Sequence, residues 1–581
     1  MGKLELTRNS ILYQQLSNKS LDMDKATKKL TSGIKKAITD PIKLINFLKK
    51  CSANVYKSTI SDYLKDSKNE AYFPSCALYR KYSILTTSHC LIIAKQLKST
   101  LDKLGFVGDY YLTSEMLPQE SDVLNFIICP QFFEKIPPNY VVVQLEQATS
   151  HWFDERYWQI LKRANAILEF SEKNLSFLKE NGIPLNKIFY FPITPNFSQP
   201  FIEPDTPATF DLGFVGAINE RRRKMLGILQ GHYSVNIINE KFGADLEDEL
   251  KKCKILLNVH YYEHDSLETT RLTDFSRYPL PILSEDSYTP EKRFFQHVIF
   301  FEENNPEDML RQVEVMLNEP SKEKNQHGEF NYFDFYLLRF LLAKDLINFS
   351  EFFNAIGKSY PLHSSFLCLT LTETIERKNR FLNKNTFENV QVMEGLRHDI
   401  GWIGCGMSYK FLASLAILKG STPLTICEDD MEEKPDSRSR YKEVLNFLEQ
   451  NKDWNLFSGL MADADDSYEV LDVSKRGKEN YIKTNKTVST VFNIYNMQCL
   501  MLIASWSPYD RRKENTIDRY LEASELSGFY TTLPFLCKQS LEVDSSIWTG
   551  INNVNRLYEV MIERSEANLF FKLLIKNKGK I

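Results

Sequence analysis

At 581 residues, with 43% hydrophobic, 13% aromatic and 25% charged side chains, the chain is too long for one ordinary domain and has a folded, globular composition. Its formal net charge of -4, from 72 basic and 76 acidic residues, argues against a dedicated nucleic-acid binder, because no excess of positive charge exists to neutralise phosphates. The ten cysteines form no Cys-x-x-Cys pair and no zinc spacing, and read as small buried apolar residues of a reducing compartment.

Residues 1–70 are polar and Lys-rich and predict a helical extension, with a solvated face as the default and a membrane-surface role as the alternative. The N-terminus lacks the apolar core of a secretory signal, and no stretch reaches the roughly 18 apolar residues that span a bilayer. The expected location is cytoplasmic, with peripheral contact at the inner face of a membrane left open. From about 80 to 330, short apolar runs alternate with amphipathic segments. Strands are predicted at 123–129, 140–145, 166–170, 188–191, 211–215, 255–259 and 280–284, and helices at 172–181 and 305–317. Such alternation predicts α/β structure with parallel sheets covered on both faces. The Pro-rich passage 192–208 reads as a linker between two doubly wound halves, 71–195 and 196–358. A new strand at 366–371 opens a further α/β domain, 359–565. Residues 566–581 form a basic amphipathic tail suited either to solvent or to an anionic lipid surface.

In the C-terminal domain the apolar run from Pro423 ends in three consecutive carboxylates, Glu428, Asp429 and Asp430. Like charges this close resist desolvation unless a cation neutralises them, and Mg²⁺ or Mn²⁺ is the usual one. The competing reading is a solvated acidic turn. Gly401-Trp-Ile-Gly-Cys-Gly-Met-Ser408 reads as a glycine-rich turn leading into an apolar helix over 409–418, without the spacing of a P-loop or dinucleotide fingerprint. Leu369–Arg377 joins a strand to a basic helix start, Thr516–Leu521 sets Asp518 in a polar surround, and Gln539–Trp548 lies near the domain end.

In this order, over Phe366 to Trp548, these segments resemble the lipooligosaccharide-type family 25 glycosyltransferases of the GT-A class. One departure is Gly406-Met-Ser-Tyr409, where that family commonly has Ser-His, which puts any role of that His in doubt here. The resemblance implies an inverting, metal-dependent transfer from a UDP-sugar, galactose among the candidates. Asp430 would hold Mn²⁺ or Mg²⁺ with Asp429 or Glu428 assisting, opposite a leaving diphosphate. Asp518 would be the general base, with Asp463 as runner-up and a capping or surface acid as the competing role. Arg377 would contact the nucleotide phosphates; a plain helix-surface arginine is the other reading.

Upstream, Phe214-Val-Gly-Ala-Ile-Asn-Glu-Arg-Arg-Arg-Lys-Met-Leu226 is a strand, a turn at Gly216 and a basic helix start containing Arg222, an anion site suited to a diphosphate without metal. The pattern Leu267-Glu268-Thr-Thr-Arg271, followed by Ser284-Glu285, resembles the nucleotide-binding half of GT-B glycosyltransferases. It implies that Glu268 holds the ribose hydroxyls; an i,i+3 ion pair between Glu268 and Arg271 is the alternative. The segments 143–147 and 168–174 resemble the acceptor half of the spore-maturation-like group. His260 and His264 stand four apart without the His-Glu-x-x-His pattern, so a donor-sugar or acceptor contact fits His260 better than zinc, beside a satisfied loop histidine.

Together these readings predict a GT-B-like pair of Rossmann-type halves followed by a GT-A-like domain. The expected function is a bifunctional glycosyltransferase adding two successive sugars to a surface glycan such as lipopolysaccharide, O-antigen or capsule. Its partners are nucleotide-sugar donors and a glycan or glycolipid acceptor, with no cofactor in the N-terminal module. The alternatives are a single-activity family 25-like enzyme with a non-catalytic, glycan-binding or docking N-terminal module, and a nucleotide-sensing or scaffold protein without turnover.

Overall fold

Buried, β-rich apolar runs set the frame of the molecule. The computed structural model describes residues 80–578 apart from 119, 121, 198–199, 264–265, 319–329, 478, 544 and 546–553. The Lys-rich extension expected over 1–70 and His264 lie outside the described residues. The first sheet contains β1 (Lys81–Leu85), β2 (Val107–Tyr111), β3 (Val123–Ile128), β4 (Tyr140–Gln144), β5 (Ala166–Glu169) and β6 (Ile188–Tyr190), all parallel, in the order β2-β1-β3-β4-β5-β6. Every residue of β3 and β4 is buried, which explains why both read as unbroken apolar runs rather than alternating ones.

The second sheet, also parallel, contains β7 (Phe210–Val215), β8 (Val235–Ile238), β9 (Cys253–Asn258), β10 (Ile282–Glu285) and β11 (Ile299–Phe301), in the order β11-β10-β9-β7-β8. In each sheet the first strand has partners on both sides. Strand order therefore reverses between β1 and β3 and between β7 and β9, and such switch points open a crevice at the carboxyl ends of the strands.

The third sheet is mixed. It contains β12 (Phe366–Thr370), β13 (Val390–Glu394), β14 (Leu424–Glu428), β16 (Leu456–Ser458), β17 (Val470–Arg476), β18 (Glu479–Thr484), β19 (Phe492–Tyr495) and β20 (Phe529–Thr532), in the order β13-β12-β14-β19-β16-β20-β18-β17. A separate antiparallel pair joins β15 (Met431–Glu433) to β21 (Cys537–Gln539). The fold class is therefore the α/β one that the strand–helix alternation predicts.

Three details differ from the sequence reading. The helices Tyr332–Ala343 and Phe349–Ile356 follow the second sheet in sequence but pack on the first: Phe340 lies 6.4 Å from Phe126 and 5.1 Å from Phe189, and Arg80 pairs with Glu351 at 2.8 Å. An almost wholly apolar helix needs cover on all sides, and the first sheet together with the third domain supplies it. The glycine-rich stretch from 401 is not a turn but the start of a helix, Gly401–Lys419. By length and composition this helix could cross a bilayer, yet 67% of its most apolar 18-residue window is buried in the molecule. Its Gly406 exists for packing: a Cβ there would stand 2.4 Å from the Trp506 ring.

The tail also differs. A continuous helix, Val554–Lys578, runs through 565–566, with Leu569 and Leu573 in the core of the third domain. Lys572 and Lys576 donate to the carbonyls of Asp466 and Val470 at 2.8 and 2.7 Å. Its lysine heads are thus partly spent on backbone, while Phe570, Leu574 and Ile575 stay exposed.

Candidate functional site

Two charged constellations form, one on the second sheet and one on the third. On the second, β7 delivers Gly216 and β9 delivers Asn258 and His260 to the reversal of strand order. Gly216 has φ +131°, and a Cβ there would lie 2.9 Å from Arg271 Nη2 and 3.3 Å from Arg222 Nη1, so only glycine lets both guanidiniums close over the turn. Asn219 accepts from Arg222 N at 2.9 Å and starts the helix Glu220–Gln230. Arg222, 2% exposed, donates to Glu268 Oε1 at 2.7 Å and to the carbonyls of Val259 and Ala217, both at 2.9 Å. Arg271 pairs with the other Glu268 oxygen and donates to Asn258 Oδ1 at 2.6 Å.

Gly216, Arg222, Glu268 and Arg271 are therefore brought together, as sequence order alone does not require. Glu268 is held by two arginines rather than left as an open acceptor, and the i,i+3 pair read as its alternative is present. Ser284 is fully buried and accepts from Asn258 Nδ2 at 3.0 Å, bracing the strands from beneath. The His260 side chain is fully buried with both ring nitrogens unpartnered, and burial pulls its pKa down to about 4, so it is a neutral imidazole near pH 7. Two residues that the sequence motifs contain, but to which no role was given, complete the cluster. Arg221 grips fully buried Glu285, whose Oε2 also accepts from His260 N at 2.9 Å. The signal for them was the Arg run after the glycine turn and the acid ending β10.

On the third sheet the carboxylates divide. Asp429 Oδ1 accepts from Arg377 Nε at 2.8 Å, and its Oδ2 accepts from Thr370 Oγ1 at 2.7 Å. Arg377 Nη2 also lies 3.2 Å from Asp430 Oδ2. Arg377, the arginine expected at the nucleotide phosphates, is the cation that pairs with both aspartates. Glu428 Oε1 lies 3.0 Å from the Tyr409 hydroxyl; burial, then the Asp430 charge, pushes its carboxyl up to about 7. Asp430 accepts from Gln539 Nε2 at 3.1 Å through Oδ2, while its Oδ1 is buried without a partner. Ser540 N donates to the Asp430 carbonyl at 2.7 Å, so the terminal segment, 109 residues away, folds onto the acidic turn. Residues 546–548 of that segment lie outside the described residues.

Asp463, with φ +67°, pairs with Arg519 at 2.7 Å, and Asp518 accepts from the Arg519 backbone N–H at 2.9 Å. Half-buried Cys405, on the helix Gly401–Lys419, lies within electrostatic reach of Glu428, Asp518 and Asp430, and its thiol is pushed up, by desolvation first and by these charges after it. The donor set does not match a triplet of ligands: among the described residues, Glu428, Asp429 and Asp430 do not bring three ligand atoms within 4.8 Å of one another. It does match a hard cation anchored on the orphaned Asp430 oxygen, since Mg²⁺ is commonly held by one or two carboxylates and otherwise by substrate phosphates and water.

The chain matches no known protein-family profile. Parts of it are similar to proteins of Acanthamoeba polyphaga mimivirus: 25% identity over 158 residues to "Uncharacterized protein L137" (26% of this chain, 21% of that protein), and 32% over 128 residues to "Uncharacterized protein R358" (21% and 41%). The chain thus spans under half the length of these relatives. Among solved structures it is similar to the lipopolysaccharide outer core galactosyltransferase WaaB in its apo form, with 10% identity, TM-score 0.27, and 42% of this chain and 91% of that one covered. It is also similar to a putative UDP-N-acetylglucosamine 2-epimerase from Listeria monocytogenes (10%, 0.27, 48% and 98%) and a glycosyltransferase from Rickettsia africae (9%, 0.25, 41% and 88%).

Proposed function

We propose that the protein is a nucleotide-sugar-dependent glycosyltransferase of the hexosyltransferase class, with a metal-assisted transfer site on the third sheet and a second nucleotide-sugar site on the second sheet. The observation that carries this reading is the buried, unpartnered Oδ1 of Asp430 on the Arg377-neutralised turn. A buried carboxylate oxygen without a partner is costly, and a cation-bound diphosphate would satisfy it.

In this reading Asp430, with Glu428 at the same corner, would hold Mn²⁺ or Mg²⁺, which supplies positive charge to a leaving diphosphate. Arg377 holds Asp429 and Asp430 in place and keeps the turn from repelling itself. Asp518 accepts the proton of the attacking acceptor hydroxyl. Gln539 orients Asp430 through the bond to Oδ2. On the second sheet, Gly216, Arg222, Arg271 and Glu268 would bind the nucleotide, the arginines facing phosphate and Glu268 the ribose. The acceptor is a glycan or glycolipid of the lipopolysaccharide, O-antigen or capsule type, extended by two sugars in succession, one at each site, with a UDP-sugar as donor at the C-terminal one. The exposed Phe570, Leu574 and Ile575 support a peripheral membrane contact.

A second reading has its own support: Glu268 is already paired to two arginines, which suits a module that binds without transferring. Mass spectrometry of products from a nucleotide-sugar panel with Mn²⁺ tests both. Loss of one linkage in Glu268→Gln and of another in Asp430→Asn supports two transfers. Loss of the same single linkage, or only in Asp430→Asn, supports the second reading. Inactivity of the parent across the panel rejects both.

A further inference from the structure

Outside these constellations, a third cluster stands at the other switch point. We propose that His89, Cys90 and Cys129 form a binding site for a thiophilic divalent cation, Zn²⁺, with the fourth position open to water at the carboxyl edge of the first sheet. β1 runs into the short turn Ser88–Cys90, and β3 runs into Cys129, so the two strands that flank the reversal of order present all three side chains. Among the described residues, this is the one set of three such ligand atoms lying within 4.8 Å of one another.

The spacing is that of a coordination shell. Cys90 Sγ and Cys129 Sγ are 3.5 Å apart, and Cys129 Sγ is 3.9 Å from His89 Nε2. Tetrahedral zinc with Zn–S near 2.3 Å and Zn–N near 2.0–2.1 Å has S–S and S–N edges of about 3.8 and about 3.6 Å. The two edges in the structure lie within a few tenths of an ångström of these. A disulfide would need the sulfurs to close to about 2.05 Å. The ligands are also held from behind. Cys129 has φ +55°, left-handed backbone followed by Pro130, which fixes where its thiol points. The ring of His89 rests edge-on against Phe132 at 5.6 Å, and Phe132 in turn contacts Trp152 at 5.1 Å. Both thiols are buried, at 4% and 5% exposure, while His89 is exposed, so the shell is closed on the sulfur side and open on the imidazole side. Three protein ligands and one open position is the pattern of a zinc that keeps a water.

The test uses the full chain, purified, stripped with chelator and titrated with Co²⁺ and then Zn²⁺. One equivalent of Co²⁺ should give thiolate-to-cobalt charge-transfer absorption and tetrahedral ligand-field bands, which Zn²⁺ then abolishes. Cys90→Ser and Cys129→Ser should each remove the signal, whereas Cys253→Ser, at a buried thiol on the second sheet, should keep it. His89→Ala, at an exposed position that the core does not need, should weaken Zn²⁺ binding at least about tenfold while the circular dichroism stays that of the parent. A parent chain without cobalt–thiolate absorption overturns the proposal, as does a signal that survives in both serine variants. So does a Cys90–Cys129 disulfide formed by a mild thiol oxidant at the same rate with and without Zn²⁺, because a bound metal must protect its thiolates.

Discussion

Arg339 and Glu373 meet as a two-bond fork, Nη1 to Oε1 at 2.7 Å and Nη2 to Oε2 at 2.9 Å, with both side chains 1% exposed. Arg339 lies on the helix that crosses back to the first sheet, and Glu373 follows β12. Glu373 also accepts from the backbone N–H of Tyr190 on β6 at 2.9 Å. One carboxylate therefore ties the first sheet to the third domain, and Lys378 reinforces the joint by pairing with Glu172 at 2.9 Å.

This joint makes the protein acid-sensitive. Burial alone would raise the Glu373 carboxyl, but the charges of Arg339 and Arg397 outweigh it and bring it from 4.5 to about 2. A carboxylate depressed in the folded state contributes stability that is full above its unfolded value and is lost as pH falls toward its folded one. Thermal stability should therefore fall progressively below about pH 4.5. Glu373→Ala, which strands a buried guanidinium, should cost about 3–5 kcal/mol near neutral pH and make the acid slope shallower. Denaturant titration of parent and variant across that range checks it. A variant as stable as the parent would contradict the role given to the fork.

Asp429 and Asp430 should separate in their effects although they are neighbours. Asp429→Asn breaks the tight pair with Arg377, so it should lower the melting temperature as well as activity. Asp430 keeps one oxygen unpartnered and meets Arg377 at 3.2 Å, a longer approach than the 2.8 Å bond from Arg377 Nε to Asp429. Asp430→Asn should leave the melting temperature near that of the parent and reduce Mn²⁺-stimulated transfer by about 100-fold or more. Scanning calorimetry beside a transfer assay with and without Mn²⁺ tests the pair; equal loss of stability in both variants would count against it.

Much of the fold was legible because buried parallel strands carry their own signature. β3 and β9 are nearly continuous apolar runs, and the Pro-rich linker interrupts them visibly. β2 and β8 were not legible: each is a half-exposed edge strand, and Val107-Gly-Asp-Tyr-Tyr111 has neither an apolar run nor clean alternation. Gly401–Gly406 misled because glycine marks turns in sequence, whereas Gly404 and Gly406 serve close packing inside a helix. Charge partners were the hardest to see. Arg377 pointed toward phosphate in sequence, and only its approach to Asp429 shows what it neutralises. The His89–Cys90–Cys129 cluster escaped the spacing rules because its thiols sit 39 residues apart, at the ends of two strands that become neighbours only in the sheet.

Gly406 offers a test of that packing. A Cβ at this position would come within 2.4 Å of the Trp506 ring, which is fully buried and anchored by Nε1 donating to Asn515 O at 2.8 Å. The ring cannot step aside without losing that bond. Gly406→Ala should destabilise the chain by about 1–3 kcal/mol, although alanine is the better helix former. Urea unfolding followed by Trp fluorescence measures it, and an unchanged or raised midpoint would show that the ring has room to move.

The second-sheet constellation predicts a sharper contrast. Gly216→Ala places a methyl against Arg271 and Arg222 at a φ of +131°, a backbone conformation that L residues rarely adopt. The two guanidiniums would have to withdraw, and Glu268 with them, because all three are tied together by their ion pairs. Glu268→Gln instead keeps the shape and removes the charge, leaving Arg222 buried at 2% exposure with a neutral partner. Nucleotide binding to the full chain, followed by calorimetry with UDP in the Asp430→Asn background so that the third-sheet site is weakened, should fall at least about tenfold in Gly216→Ala. In Glu268→Gln it should fall less for the phosphates than for the ribose, so that UDP and the 2′-deoxy nucleotide bind alike. Retained discrimination between those two nucleotides would remove Glu268 from the ribose and leave it as the counter-ion of the arginines.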